Sequence, residues 1–205
     1  MLDRHIHPRV KPALNRLASW LDKPGITPDG LTLTGFAAGV LTLPFLALGW
    51  YPAALVAIVV NRLLDGLDGA LARRRGLTDA GGFLDIALDF LFYALVPFGF
   101  ALAAPAENAL AAAWLLFAFI GTGSSFLAFA ALAAKHNIDN PGYAHKSFYY
   151  IGGLTEGTET IVLFVLCCLF PAHFTLLAWV FGALCWLTTT TRIWSGYLTL
   201  RSFTP

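Results

Sequence analysis

The sequence predicts an all-α integral membrane protein: a bundle of six transmembrane helices preceded by an amphipathic helix at the membrane interface. Three observations predict it. The 205-residue chain is 58% hydrophobic and only 12% charged, against about 25% charged residues in an ordinary soluble domain. It holds six apolar stretches close to the roughly twenty residues that a helix needs to cross a bilayer core. Finally, of the connections between those stretches, only alternate ones carry Lys or Arg.

The same figures exclude other classes. A net charge of +1 carries no electrostatic footprint for nucleic acid, and the hydrophobic content is far above that of disordered chains. The three cysteines, Cys167, Cys168 and Cys185, all lie inside apolar runs and read as small buried hydrophobes rather than redox or zinc groups. No secretory signal is evident: the N-terminus is basic, but the first long apolar run begins near Leu31 and has no cleavage-like ending.

Residues 1–28 come first. Val10, Leu14, Leu17 and Leu21 recur at steps of three and four with basic residues between them, the pattern of a helix lying on the inner leaflet; a plain cytosolic cap on the bundle is the alternative. Spans are expected over residues 31–49, 53–72, 82–104, 107–134, 154–170 and 173–199. Turn-like breaks separate them at Trp50-Tyr51-Pro52, Arg74 to Ala80, Pro105, Lys135 to Gly153, and Pro171-Ala172-His173. The basic connections hold Arg4, Arg9, Lys11, Arg16 and Lys23 before the first span, Arg73, Arg74 and Arg75 after the second, Lys135 and Lys146 after the fourth, and Arg201 in the tail. Positive charge marks the cytoplasmic side, so both termini are expected there. No internal repeat or low-complexity linker divides the chain, and residues 1–205 are expected to form one domain.

Ionised side chains in membrane helices are costly and require a partner, a metal or water. Asp65, Asp68, Asp85 and Asp89 nevertheless stand at the ends of spans two and three that face one connection. Spacings of three and four put each pair on one helix face, and the short turn between the helices makes them antiparallel, so four carboxylates are expected to converge. Such a set must be protonated or neutralised by cations. Oxygen-only ligands suit Mg²⁺, Mn²⁺ or Ca²⁺ rather than zinc, and four carboxylates carry the charge for two such ions, an arrangement suited to phosphoryl displacement. A set of structural Asp–Arg pairs is the alternative, with Arg62 one turn before Asp65. Gly69 and Ala72 clear side-chain bulk beside this face, for a ligand or for close helix packing. Arg73 offers a planar fork to phosphate, whereas Arg74 and Arg75 read as positive-inside anchors.

The string Asp65-Gly66-Leu67-Asp68-Gly69-Ala70-Leu71-Ala72-Arg73, followed by Gly81, Asp85 and Asp89 at steps of four, resembles the signature of the CDP-alcohol phosphotransferases, integral membrane enzymes of phospholipid synthesis. Thr27-Pro28-Asp29-Gly30-Leu31-Thr32 before the first span is similar to a looser family feature in which Asn often replaces Asp29. The link from Arg73 to Gly81, with seven residues between, is one residue shorter than usual in the family. The resemblance implies transfer of a phosphatidyl group from CDP-diacylglycerol to a small alcohol with release of CMP, using two Mg²⁺ or Mn²⁺ ions. It implies that Asp65, Asp68 and Asp85 hold the metal gripping the donor pyrophosphate, and that Asp89 completes a second metal site and acts as general base. Gly69, Ala72, Arg73, Gly81 and Thr32 would line the CDP site. A homodimer in a bacterial inner membrane, with the site on the cytoplasmic side, is also implied.

For the acceptor, Glu156 and Glu159 open span five three residues apart. They are candidates to bind a hydroxylated or cationic alcohol together with Lys146 and Arg192, or else they pair with Arg192 or Lys146. The few basic residues there (Lys135, His145, Lys146 and Arg192) favour a neutral or amine-bearing alcohol over a phosphorylated one. Phe148-Tyr149-Tyr150 reads as part of an interfacial aromatic belt. The rival class is a small ion-coupled transporter, since intramembrane acids also mark ion pathways. Broken helices in related halves would characterise it, and no halves repeat here.

Overall fold

A computed structural model of the chain describes residues 3–136, 138 and 153–201, and all regular structure among them is helical. Lys146, His145 and the Phe148-Tyr149-Tyr150 run lie outside the described residues. The helices are α1 (Asp3–Leu21), α2 (Pro28–Val40), α3 (Thr42–Ala47), α4 (Tyr51–Arg75), α5 (Asp79–Ala103), α6 (Pro105–Lys135), α7 (Gly157–Leu169) and α8 (Phe174–Arg201), with a short 3₁₀ turn at Pro171–His173.

Among the described residues, four stretches are long and apolar enough to cross a membrane: Pro28–Ala47, Asp79–Ala103, Pro105–Lys135 and Pro171–Arg201. Helix α4 matches them in length with 25 residues, but Arg62, Asp65 and Asp68 interrupt its apolar run. Helix α7 has only 13 residues, short of the roughly twenty of a full crossing. It starts at Gly157, three residues after the expected edge of span five, because Glu156 and Glu159 form a capping box across its first turn. The first span is also not one helix. The α-helical pattern breaks at Leu41, between α2 and α3. Pro44, in the first turn of α3, has no N–H for the Val40 carbonyl.

The stripe expected along α1 divides between two environments. Leu14 and Leu21 are half-buried and Ala18 is fully buried, while Val10, Leu17 and Trp20 are exposed. The inner face packs on α4, where a Cβ added at Gly66 would stand 3.0 Å from a Leu14 methyl. The outer face supplies the apolar surface of an interfacial helix.

The most extensive packing joins α6 to α8 and α2 to α4. Apolar side chains gain little from leaving lipid, so small residues that let backbones approach carry such interfaces. Gly35 sits against Leu64, Gly39 against Asn61 and Phe92, and Gly182 against the Trp114 indole. The central core gathers Leu46, Ile58, Phe92, Val96, Phe100, Leu115, Phe164 and Phe174, with Phe100 and Phe174 stacked at 4.3 Å between centroids. The three cysteines are buried and unbridged, as their apolar settings predict.

The link between the two aspartate-bearing helices is short. Helix α4 ends at Arg75, Gly76 turns the chain at φ 105, and Thr78 caps α5 by accepting from the Gly81 amide at 3.1 Å. A positive-φ glycine allows so short a link, which accommodates the missing residue between Arg73 and Gly81. Arg75 donates to the Ile26 carbonyl and, at 3.1 Å, to that of Lys23. Arg74 and Arg75 also reach Asp22 at 3.3 and 2.8 Å. These two arginines therefore tie the α1–α2 loop to the end of α4, beyond any role as charge anchors.

Candidate metal centre and active site

Asp65 and Asp68 stand one turn apart near the end of α4, and Asp85 stands in the second turn of α5 beside them. One carboxylate oxygen of each lies within 4.8 Å of the others. The antiparallel hairpin thus brings together side chains that are 17 to 20 positions apart in sequence.

Asp89 lines the same cleft but is held by an arginine. Arg62 donates from Nη2 to Asp89 Oδ1 at 2.7 Å and brings Nη1 to 3.5 Å from Asp65 Oδ2. Its guanidinium also lies over the rings of Phe92 at 4.7 Å and Tyr93 at 5.6 Å. Arg62 therefore spans the two helices and forms an ion pair with one aspartate on each.

A second set of contacts orients these groups. Asn61 accepts from Arg62 Nε at 2.7 Å and donates to the Gly35 carbonyl at 2.9 Å, which fixes the arginine and ties α4 to α2. The Thr32 hydroxyl donates to Asp68 Oδ2 at 2.6 Å. Asn61, Tyr93 and Gly35 were not evident from the sequence. For Asn61 a signal was available: Asn61-Arg62 breaks an otherwise apolar run from Ala53 to Leu64, a costly pair unless it serves the acids that follow.

The cleft among these residues holds about 10 Å³, the space of a single water or ion. Three converging carboxylates supply hard oxygen ligands only, the donor set for Mg²⁺, Mn²⁺ or Ca²⁺. The residues present fit a divalent cation.

The expected donor residues surround the same end of the hairpin. Arg73 is exposed and folds back over Gly69, where an added Cβ would stand 3.3 Å from its Nη1. A Cβ at Gly81 would meet Thr78 Oγ1 at 2.9 Å and Asp29 Oδ1 at 3.1 Å, so the α2 entry borders the start of α5. Ala72 is half-buried on the turn of α4 that carries Arg73.

The acceptor candidates divide. Glu156 accepts from the Gly153 amide at 3.1 Å, and Glu159 accepts from the Glu156 amide at 3.1 Å; both carboxylates thus also serve the capping box of α7. Arg192 is buried, donates to the Thr122 carbonyl at 3.3 Å and lies 5.8 Å from the Phe126 ring centre. Glu156 and Arg192 line one larger cavity. Lys146 lies outside the described residues.

Residues 25–194 match the family described as CDP-alcohol phosphatidyltransferase. The chain belongs to that family. Among its relatives, the inner membrane protein YnjF of Escherichia coli (strain K12) is 82% identical over 98% of both chains. The archaetidylinositol phosphate synthase of Pyrococcus horikoshii is 42% identical over 47% of this chain and 52% of that protein. Among solved structures, the phosphatidylinositol phosphate synthase PgsA1 of Mycobacterium tuberculosis with manganese and citrate superposes with a TM-score of 0.72 at 22% identity, over 90% of this chain and 88% of that one. The same enzyme with CDP-DAG bound gives a TM-score of 0.67 over 90% and 93%. The structural likeness shows a shared fold.

Proposed function

We propose that this CDP-alcohol phosphatidyltransferase family member, folded as one membrane domain, moves the phosphatidyl group of CDP-diacylglycerol to a neutral alcohol and releases CMP. The observation that carries the proposal is the three-carboxylate cluster of Asp65, Asp68 and Asp85 on the hairpin bearing the family string. The donor is supported by the synthase names of the relatives and by the CDP-DAG and manganese held by the PgsA1 neighbour.

Asp65, Asp68 and Asp85 would hold a divalent cation, with Asp89 completing a second site. Bound there, Mg²⁺ or Mn²⁺ would neutralise charge on the donor pyrophosphate. Thr32 holds the carboxylate of Asp68 in place. Arg62 engages one oxygen of Asp89, and the acceptor's hydroxyl proton would pass to that carboxylate as its oxygen bonds to phosphorus and CMP leaves with the bonding electrons. Arg73 would meet the donor phosphates, with Gly69, Ala72 and Gly81 leaving room for the nucleotide.

A neutral acceptor is supported by α7. Two of the amides at its N-terminus, where a phosphate would otherwise settle, those of Glu156 and Glu159, are taken by the Glu159 and Glu156 carboxylates. The alternating basic connections support cytoplasmic termini, and the name of the E. coli relative supports an inner membrane. A homodimer is proposed by family membership alone.

The test is CMP release from CDP-diacylglycerol by the purified protein in lipid nanodiscs, with Mg²⁺ or Mn²⁺ and a panel of alcohols, and mass analysis of the lipid product. A metal-dependent product with an unphosphorylated alcohol is expected. No CMP release with any acceptor would overturn the proposal.

A further inference from the structure

A cavity of about 640 Å³ lies among α5, α6, α7 and α8. It is far larger than the metal cleft and falls within the roughly 300–1,000 Å³ of pockets that bury whole organic ligands. Its walls are mostly apolar, including Phe90, Leu116, Phe119 and Leu127. Toward α7 and α8 it carries a polar group of Thr155, Glu156, Thr160 and Arg192, each more than nine-tenths buried. Toward α6 it reaches the outer face of the bundle, since lining residue Ile120 is 69% exposed.

Its polar part is one side chain away from the metal centre. Tyr93 lines the cavity, and its ring faces Arg62, the residue that holds Asp89. The Tyr93 hydroxyl stands 3.4 Å from where a Cβ on Gly157 would be, at the start of α7. The polar head of the donor already has a place at the aspartates, so this second polar group beside an apolar chamber calls for a second amphiphile. Glu156 and Arg192 together contribute no net charge, which disfavours a phosphate monoester.

We infer that the cavity takes an acceptor alcohol carried on an apolar chain, its hydroxyl head beside Tyr93 and its chain running between α5 and α6 to the bilayer. The inference rests on the transferase reading and deepens it: both substrates enter from lipid and the product is a lipid with apolar chains on both sides of the phosphate. The acceptor oxygen bonds to phosphorus, its proton goes to Asp89, and CMP departs with the electron pair of the broken bond.

The experiment compares three acceptors with the nanodisc protein and CDP-diacylglycerol: monoacylglycerol, glycerol and glycerol phosphate. Monoacylglycerol is expected to exceed the others in kcat/KM by at least roughly tenfold, the least that loss of a chain from an apolar pocket should cost. Equal or better use of glycerol or glycerol phosphate would overturn the inference while leaving the transferase intact. No CMP release at all would overturn both. A monoacylglycerol with a diazirine on its chain supplies a second readout that does not depend on turnover. Labelling of peptides holding Ile120, Leu127 or Ala94 supports the inference. Labelling elsewhere, or loss of that label when excess CDP-diacylglycerol is added, assigns the cavity to other lipid and overturns it. Ala94→Phe, which fills the chamber, is expected to raise KM for monoacylglycerol about tenfold; an unchanged KM in a variant that still purifies as a monodisperse protein counts against the inference.

Discussion

Replacing Arg62 by Met removes the guanidinium placed between Asp65 and Asp89. The perturbation deletes a 2.7 Å charge-assisted bond to Asp89, a 3.5 Å contact to Asp65 and the stacking on Phe92 and Tyr93, while Met retains most of the aliphatic volume. Removing one partner of a fully buried pair costs about 3–5 kcal/mol. Here the Arg62 and Asp89 side chains keep 17% and 29% exposure, and partial solvation lowers the expectation to about 2–3 kcal/mol. For a chain of this size that is a Tm decrease of roughly 4–12 °C. A double-mutant cycle isolates the pair. Asp89→Asn removes the stranded charge, so the double variant should be more stable than the sum of the single losses by about 1–2 kcal/mol. Added Mg²⁺ should also recover part of the loss in the single Arg62→Met variant, because a cation among the remaining aspartates supplies the charge that Arg62 took away. Thermal unfolding in nanodiscs, with chelator and with Mg²⁺, reads all four proteins. Strict additivity, together with a Tm decrease under roughly 2 °C in Arg62→Met, would refute the bridging role.

Thr32→Val removes the 2.6 Å donor to Asp68; a hydrogen bond to a charged group is worth about 1.5–3 kcal/mol, so CMP release should fall about tenfold or more and Thr32→Ser should restore it. Gly182→Ala would place a methyl 2.2 Å from Trp114 Nε1, an indole stacked on Trp179 at 5.1 Å and donating to its carbonyl at 3.2 Å; a loss of roughly 2–4 kcal/mol is expected, read by thermal unfolding. Asp22, outside the spans, is held below the usual carboxylate range first by its hydrogen bond from Arg75, which outweighs the opposing desolvation, and then by Arg74. A depressed folded-state value means that its tie to α4 is complete above the ordinary carboxylate range and is lost as pH falls through that depressed value. Protease cleavage at Lys23 should therefore accelerate under acid conditions in the native chain, and already at neutral pH in Asp22→Asn.

The residues that made the hairpin legible are the charged ones. Asp65, Asp68, Asp85 and Asp89 stand out because lipid tolerates few acids, and helical spacing alone places each pair on a face. What spacing could not reveal is how Arg62 is shared: helical steps put it beside Asp65, but only the packing of both α4 and α5 against α2 brings Asp89 to its other nitrogen. The break between α2 and α3 had a signal in Pro44, obscured because the surrounding residues remain apolar through Leu48. Glu156 and Glu159 carried two messages at once, a capping-box spacing and an acidic pair near a membrane edge, and the first explains why α7 starts where it does. The large cavity was invisible in the sequence, since its walls come from four helices and its apolar lining looks like any other lipid-facing run.

The central claim is that the α4–α5 carboxylates serve transfer from CDP-diacylglycerol. The most direct measurement is CMP release by the purified protein after chelation and stepwise return of Mn²⁺, beside Asp85→Asn at the same protein concentration. Release that returns with Mn²⁺ and falls by at least about a thousandfold in the variant is the predicted result. Full activity in chelator, or in Asp85→Asn, would contradict it.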